Sequence, residues 1–494
     1  MPERKYTRWL AAIFLITLAV RLILAFTTPN FTYDSYFHLR QIEHISETGL
    51  PLYNDPLSYG GRQHIFLPVF HYVFAAFSFF MPVEIAAKAF SALLFSTLTI
   101  LAYLIAARIT QNKPASLFSA LIAGFLPVLF TPNRLSIDAL FFPLVFLNIY
   151  AFLRLPERKY LYTYLGSFIL LCFVSSATAL LIIGYGVYVL LSFMEGAALP
   201  KAEKELFIFS LFFFGWSQFL FFKNVLASYG IAFIWRNVPP QIVSDYFPSL
   251  SIPAAIVLVS LVPFLAGTYM VYRSLFYLHD RKLLFLISLV ISTTILTWLR
   301  LAEFLFSLAL FGVVLAIFFA PFYQQSLDYL RKTRFTFLKN NYAILIGVIL
   351  IFSTVWPALN AALGQETPTP EEVAAFRWIS RELPEDATVL ALLEEGHLLT
   401  YYGQRKNMMD DQFALVRDVP VRFAGLQALY TTVFQTQAFE LMTKYGLDYV
   451  MITPRAKQQY MLAGLKYYSP ECFERVYGAE TRIYRVKCAL QEVS

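Results

Sequence analysis

Between Trp9 and Leu359 the chain returns repeatedly to apolar runs of about 18 residues or more, each long enough to cross about 30 Å of hydrocarbon. A water-soluble fold has too little interior to hide that many runs. Composition agrees: 58% of the 494 residues are hydrophobic and 14% charged, with 50 Phe and 31 Tyr. The first run is too long for a cleavable signal, and no small-x-small site follows it before TTPNFTYD. The chain therefore reads as a multi-pass membrane protein. Its net charge of +7 sits mostly in short loops between the runs, which explains it as topology rather than as affinity for nucleic acid.

The basic loops set the orientation. Arg4, Lys5 and Arg8 hold the N-terminus in the cytoplasm, so the first span delivers Asp34 to the outer face. The run FLPVFHYVFAAFSFFMP is short and carries His71 and flanking prolines. Placing it in the interface puts Arg108, Lys113, Arg154 to Lys159, Lys201, Lys204, Arg281, Lys282 and Arg331 to Lys339 all inside. This predicts about 11 transmembrane helices within residues 1–360, with external loops at 28–83, 131–138 and 223–250. The first loop is expected to carry one or two surface helices. No internal repeat is evident, which argues against an inverted-repeat transporter. The expected location is the plasma membrane.

Residues 361–494 are different in kind and read as an extracytoplasmic α/β domain. TPEE is a helix start, VAAFRWISREL has helical periodicity, and PEDATVLAL is a turn leading into a buried strand. YGLDYVMI reads as a further strand and FERVYGAETRIYRVKC as a hairpin turning near Gly478. Cys472 and Cys488 flank that hairpin, and on the outer face they are equally free to pair or to stay reduced. Cys172 lies in an apolar run, where packing explains it.

Several polar residues stand out against this background. Asp34 follows the first span directly, among Tyr33, Tyr36 and Phe37. A carboxylate at headgroup level can act as a general base or bind a divalent cation. The plain alternative is the N-cap of the helix SYFHLRQIEHISE. Asp138, preceded by Arg134, opens another span and admits the same two readings. Arg300, with Glu303 as its nearest polar neighbour, either snorkels or binds a lipid phosphate with its planar fork. Arg21, inside the first span, is more simply paired with a neighbouring helix than catalytic.

Taken in order, these stretches resemble the polyprenyl-phosphate-dependent membrane glycosyltransferases of the GT-C type. DSYFHLR, GLP, DP, GGR and LPVFHY follow the pattern of their first external loop. IVSDYFPSLSI, LRLAEFLFSLAL and FRWISRELPEDATVLALLEEGHLLTYYGQRKNMMDDQF narrow the resemblance to the single-chain archaeal and bacterial oligosaccharyltransferase catalytic subunit. The resemblance implies a GT-C-like helical bundle with an external domain. It implies an inverting transfer of a sugar or oligosaccharide from a polyprenyl-(di)phosphate donor to a protein, lipid or glycan acceptor. Asp34 and Asp138 would be catalytic and would hold Mn²⁺ or Mg²⁺, and Arg300 would bind the donor phosphate. Asp245, Arg40, Asp55 and His64 would contact the acceptor or support the cation's ligands.

The sequence departs from that family twice. Where the family has Trp-Trp-Asp-Tyr-Gly, its grip on the sequon hydroxyl, this chain has LLEEG, Leu392 to Gly396. Only the glycine is kept, with Glu394 an acid at the Asp position. In the second external loop Ala139 and Leu140 follow Asp138, so the usual second acidic ligand is missing. A cation held by Asp34, Asp138 and Asp245, and a metal-free site with Asp34 as base, both remain open. The expected acceptor is other than a standard sequon. The rival readings are a true N-oligosaccharyltransferase with an atypical sequon pocket and a catalytically degenerate glycolipid-binding relative.

Overall fold

The structure, a computed structural model, describes residues 2–155, 157–230, 234–235, 238, 242, 251–278, 280–332, 341–478 and 480–488. Asp245 lies outside the described residues. Among those described, seven helices are long and apolar enough to cross a membrane, and the bent pair Ile252–Val259 and Leu261–Leu278, 94° apart, makes an eighth candidate. The shorter helices Lys113–Gly124, Asp138–Phe152 and Arg158–Val174 pack among them. The number of helices that actually span remains an expectation, because these three fall below the length of a span taken alone.

Helix α1 (Pro2–Thr27) leads to the first long loop, which carries α2 (Ser35–Thr48) and α3 (Val69–Ser78). At 10 residues, α3 reaches about 15 Å, too short to cross the bilayer. Between them, β1 (Asn54–Asp55) and β2 (Arg62–Gln63) form a small antiparallel ribbon. Helix α4 (Val83–Thr110) returns through the bundle against α1. Near its start, Lys88 turns inward and donates to the carbonyls of Ala25, Thr28 and Pro29. The end of a helix leaves its last carbonyls without partners. Lys88 supplies them, and so fixes where α1 stops and where Asp34 begins. Arg21 behaves as expected of a paired intramembrane charge: it donates to Leu129 O at 2.9 Å and Gly124 O at 3.0 Å, over the Phe130 ring. Both carbonyls belong to the break after Gly124, where the helix no longer satisfies them itself.

The helix Lys201–Tyr229 runs on into the stretch expected as loop. The chain after Leu363 builds the second region. Thr369 caps the helix Pro370–Glu382 through a reciprocal capping box with Glu372, as TPEE predicts. A five-stranded sheet follows in the order β4-β3-β5-β7-β6, from β3 (Thr388–Leu390), β4 (Lys406–Asn407), β5 (Tyr449–Ile452), β6 (Phe473–Gly478) and β7 (Arg482–Val486). The first three are parallel, and β5, β7 and β6 antiparallel. Cys472 and Cys488 form a disulfide across the hairpin, and Cys172 is free and buried.

Candidate active site

Three chain segments meet at Asp34. The backbone N–H of Thr32 donates to Asn133 O at 3.0 Å, and Leu135 N donates to Ser35 Oγ at 2.9 Å. These bonds lay the loop at 131–138 along the first loop. The linker to the C-terminal region joins them: Gln365 Oε1 accepts from Asn133 N at 3.0 Å, and Asn30 Nδ2 donates to Pro368 O at 2.7 Å. The junction therefore has backbone support on every side of the carboxylate.

Asp34 precedes the first residue of α2 but its side chain makes no capping bond. Instead, Oδ1 accepts from Thr32 Oγ1 at 2.6 Å and Oδ2 from Arg134 Nε at 2.8 Å. The capping alternative therefore does not describe it. Its side chain keeps 39% of its surface exposed, and that of Arg134 keeps 34%. Burial works to raise the Asp34 carboxyl, but Arg134's charge, the bonds from Thr32 and Arg134, and His38 outweigh it and hold it below the usual range. Arg134 is raised in turn, first by Asp34 and, against burial, by Asp138 and Glu303. Asp138 is the first residue of its helix. Glu303 brings in the turn between Arg281–Trp298 and Phe304–Lys332, where Arg300 sits exposed with φ 55°. The arginine that matters most to Asp34 is thus Arg134. In sequence it reads only as a basic residue four positions before Asp138, since nothing local signals a partner 100 positions away.

Arg40, Asp55 and His64 come together, but with one another. Arg40 grips Asp55 through two bonds of 2.6 and 2.8 Å, and His64 Nε2 lies 3.2 Å from the same carboxylate. Asp55 is 3% exposed. Arg62 extends the network to Asp410 at 3.3 Å and to the carbonyl of Gln412. Asp410 also accepts from Ser58 Oγ at 2.5 Å and Asn407 Nδ2 at 3.1 Å. Asn407 adds a bond from its N–H to Leu57 O at 3.0 Å and one from Tyr59 N at 2.7 Å. This cluster fastens the first loop to the C-terminal sheet region. A mostly apolar groove of about 540 Å³ opens beside it, lined by Tyr53, His64, Phe173, Trp216 and Leu220. Between the two aspartates lies Phe37, whose ring packs against His38, His64, His71 and His397.

LLEEG forms no open slot. Leu392 and Leu393 are 0% and 5% exposed. Glu395 is buried, accepts from Thr453 Oγ1 at 2.6 Å and Leu392 N at 3.2 Å, and is raised by burial to about 8. A Cβ on Gly396 would stand 2.5 Å from Met409 O, so the glycine is kept for close backbone packing. Toward Asp34, Arg455 stacks on the Tyr33 ring at 4.7 Å and pairs with Glu366 at 2.8 Å.

Among the described residues, those that the resemblance assigns to a divalent cation do not by themselves make a site for one; Asp245 lies outside them. Among the described residues no group of three or more His, Cys, Asp or Glu could hold a metal ion. Magnesium and manganese take about six oxygen ligands. Here both Asp34 oxygens already accept hydrogen bonds, one from a cation.

The architecture matches solved structures over nearly its whole length. The Archaeoglobus fulgidus oligosaccharyltransferase, tethered with an acceptor peptide containing the NVT sequon, aligns with a TM-score of 0.70 at 13% identity, covering 92% of this chain and 70% of that one. The fold is that of the GT-C membrane glycosyltransferases. ArnT from Cupriavidus metallidurans, bound to undecaprenyl phosphate, aligns with a TM-score of 0.56 at 12% identity over 97% of this chain and 98% of its own. The archaeal enzyme AglB has also been solved with an inhibitory peptide and a dolichol-phosphate, and with Zn and sulfate. No protein-family model and no curated protein matches the sequence. The GT-C likeness is therefore carried by shape, at identities where side-chain roles do not transfer.

Proposed function

We propose that this chain is a membrane glycosyltransferase that moves a sugar or oligosaccharide from a polyprenyl-(di)phosphate donor to an acceptor at the outer membrane face. The observation that carries the reading is Asp34: an uncapped, part-exposed carboxylate held by two side-chain donors, in a fold shared with proteins solved with dolichol-phosphate and undecaprenyl phosphate. In-line attack needs an acceptor fixed on the side of the anomeric carbon opposite the leaving phosphate. Asp34 supplies that fix. A carboxyl held low is a weak base in the ground state, so Asp34 first orients the acceptor by hydrogen bonding. It takes the proton as attack on the anomeric carbon makes that proton acidic. Arg300, exposed at the turn that also brings Glu303, is our choice for the leaving phosphate, with Asp138 beside the acceptor. In this reading residues 1–360 hold the chemistry and 361–494 cover it from outside. The N-terminus is cytoplasmic and the membrane is the plasma membrane.

The acceptor is not a standard sequon in our reading, because two buried leucines stand where indoles would bind its hydroxyl. Transfer from a labelled polyprenyl-phosphate sugar pool tests the proposal. Wild type should turn over, Asp34→Asn should lower turnover about 10²–10⁴-fold, and Arg300→Ala should lower it about 10²-fold. Donor binding without turnover on peptide, lipid and glycan acceptors would leave the glycolipid-binding reading instead.

A further inference from the structure

The site's cation is part of the chain. Arg134 donates to Asp34 Oδ2 through Nε at 2.8 Å, and among the described residues its two terminal nitrogens make no hydrogen bond. A third of the side chain is open. Asp138 lies four residues further on at the start of its helix, and its charge and that of Glu303 act on Arg134 alongside the direct pairing with Asp34. An ion on Asp34 Oδ2 would have to share one oxygen with a guanidinium within a few ångströms, and like charges at that range repel strongly.

We propose that Arg134 occupies the place of a divalent cation in this site, fixing Asp34 with Nε and presenting its terminal nitrogens to a phosphate oxygen of the donor. A planar guanidinium fork matches two phosphate oxygens, so one residue can both orient the carboxylate and offset charge on the leaving group. The phosphate half of this inference rests on the glycosyltransferase reading; the cation half stands without it.

The test uses full-length protein in detergent, Mn²⁺ titration followed by electron paramagnetic resonance, and binding of undecaprenyl phosphate. Wild type should bind no stoichiometric Mn²⁺. Arg134→Ala, which uncovers Asp34 Oδ2, should bind Mn²⁺ more tightly than wild type, whereas Arg134→Lys should not. Undecaprenyl phosphate affinity should fall about tenfold or more in Arg134→Ala, the scale of one charge-assisted hydrogen bond lost. One equivalent of Mn²⁺ on the wild type would overturn the inference, as would unchanged lipid affinity in Arg134→Ala. Thermal unfolding of each variant checks folding, and if Arg134→Ala fails to fold, the wild-type titration and Arg134→Lys still decide. Failure of the enzyme reading looks different: transfer untouched by Asp34→Asn, with the Mn²⁺ results unchanged.

Discussion

Asp34 and Asp55 belong to the same loop, and each is held by an arginine, yet their surroundings differ in every other respect. Asp55 is closed off, takes both prongs of Arg40, and connects through His64 and Arg62 to the C-terminal sheet region. Asp34 takes one nitrogen of Arg134, stays part-open, and passes up the cap of the helix it begins. A fully partnered carboxylate holds structure together, and a part-satisfied one at a junction is available for chemistry. The same contrast separates Asp410, fully buried and drawn down to about 2 by His397, Arg62, His64 and Ser58 against its burial.

The comparison can be broken most directly at Asp34. Asp34→Asn keeps the shape and should cost about 10²–10⁴-fold in transfer, with stability changed by less than about 1 kcal/mol because the pair is exposed. Asp55→Ala should do the reverse, losing about 3–5 kcal/mol in denaturant unfolding by leaving Arg40 and His64 buried without their partner. If Asp55→Ala folds normally and only slows transfer, the division between the two is wrong. Cys472→Ser opens a covalent loop of sequence separation 16, and should lower the external domain's stability by about 3 kcal/mol without altering lipid binding. Lys88→Met, which strips the carbonyls ending α1 of their donor, should cost about 1–3 kcal/mol in stability. Because it frees the segment leading to Asp34, it should also slow transfer.

The smallest effect is a pH slope. Burial lowers His38 to about 4, against the pull of Asp34. Its folded form therefore binds fewer protons than the unfolded chain below the ordinary imidazole range. The stability it contributes is complete above about pH 6.5 and declines as pH falls toward about 4. Between pH 7 and 6 this amounts to about 0.7 kcal/mol, measurable by thermal unfolding and absent in His38→Asn. His397 is raised by Asp410 and Asp411 despite its burial and slopes the opposite way, so the net curve should steepen in His397→Asn.

Much of this was legible in the sequence because the membrane imposes simple rules. Apolar length located the main spans, and the capping box at Thr369 and the strands at Thr388 and Tyr449 follow from local chemistry. Asp34 was identifiable from its place after the first span. Its partner was not, because contacts across 100 residues leave no periodic trace and Arg134 looks like any loop cation. The meaning of Arg40, Asp55 and His64 was hidden for a related reason. Their polarity suggested a site, while the partners that make them structural, Asn407 and Asp410, lie in another region of the chain. LLEEG announced the loss of the indoles, but the second role of its glycine, close passage by Met409, is visible only in three dimensions.

Asn407 joins loop and domain through Leu57, Tyr59 and Gly396 at once. A cover riveted in this way does not lift. Raising the domain by the length of one hydrogen bond would tear the backbone bonds at Leu57 and Tyr59 and bare Asp410. On the glycosyltransferase reading proposed above, an acceptor would then have to reach Asp34 past the edge of the domain, where Arg455 stacks on Tyr33, rather than beneath a lifting lid.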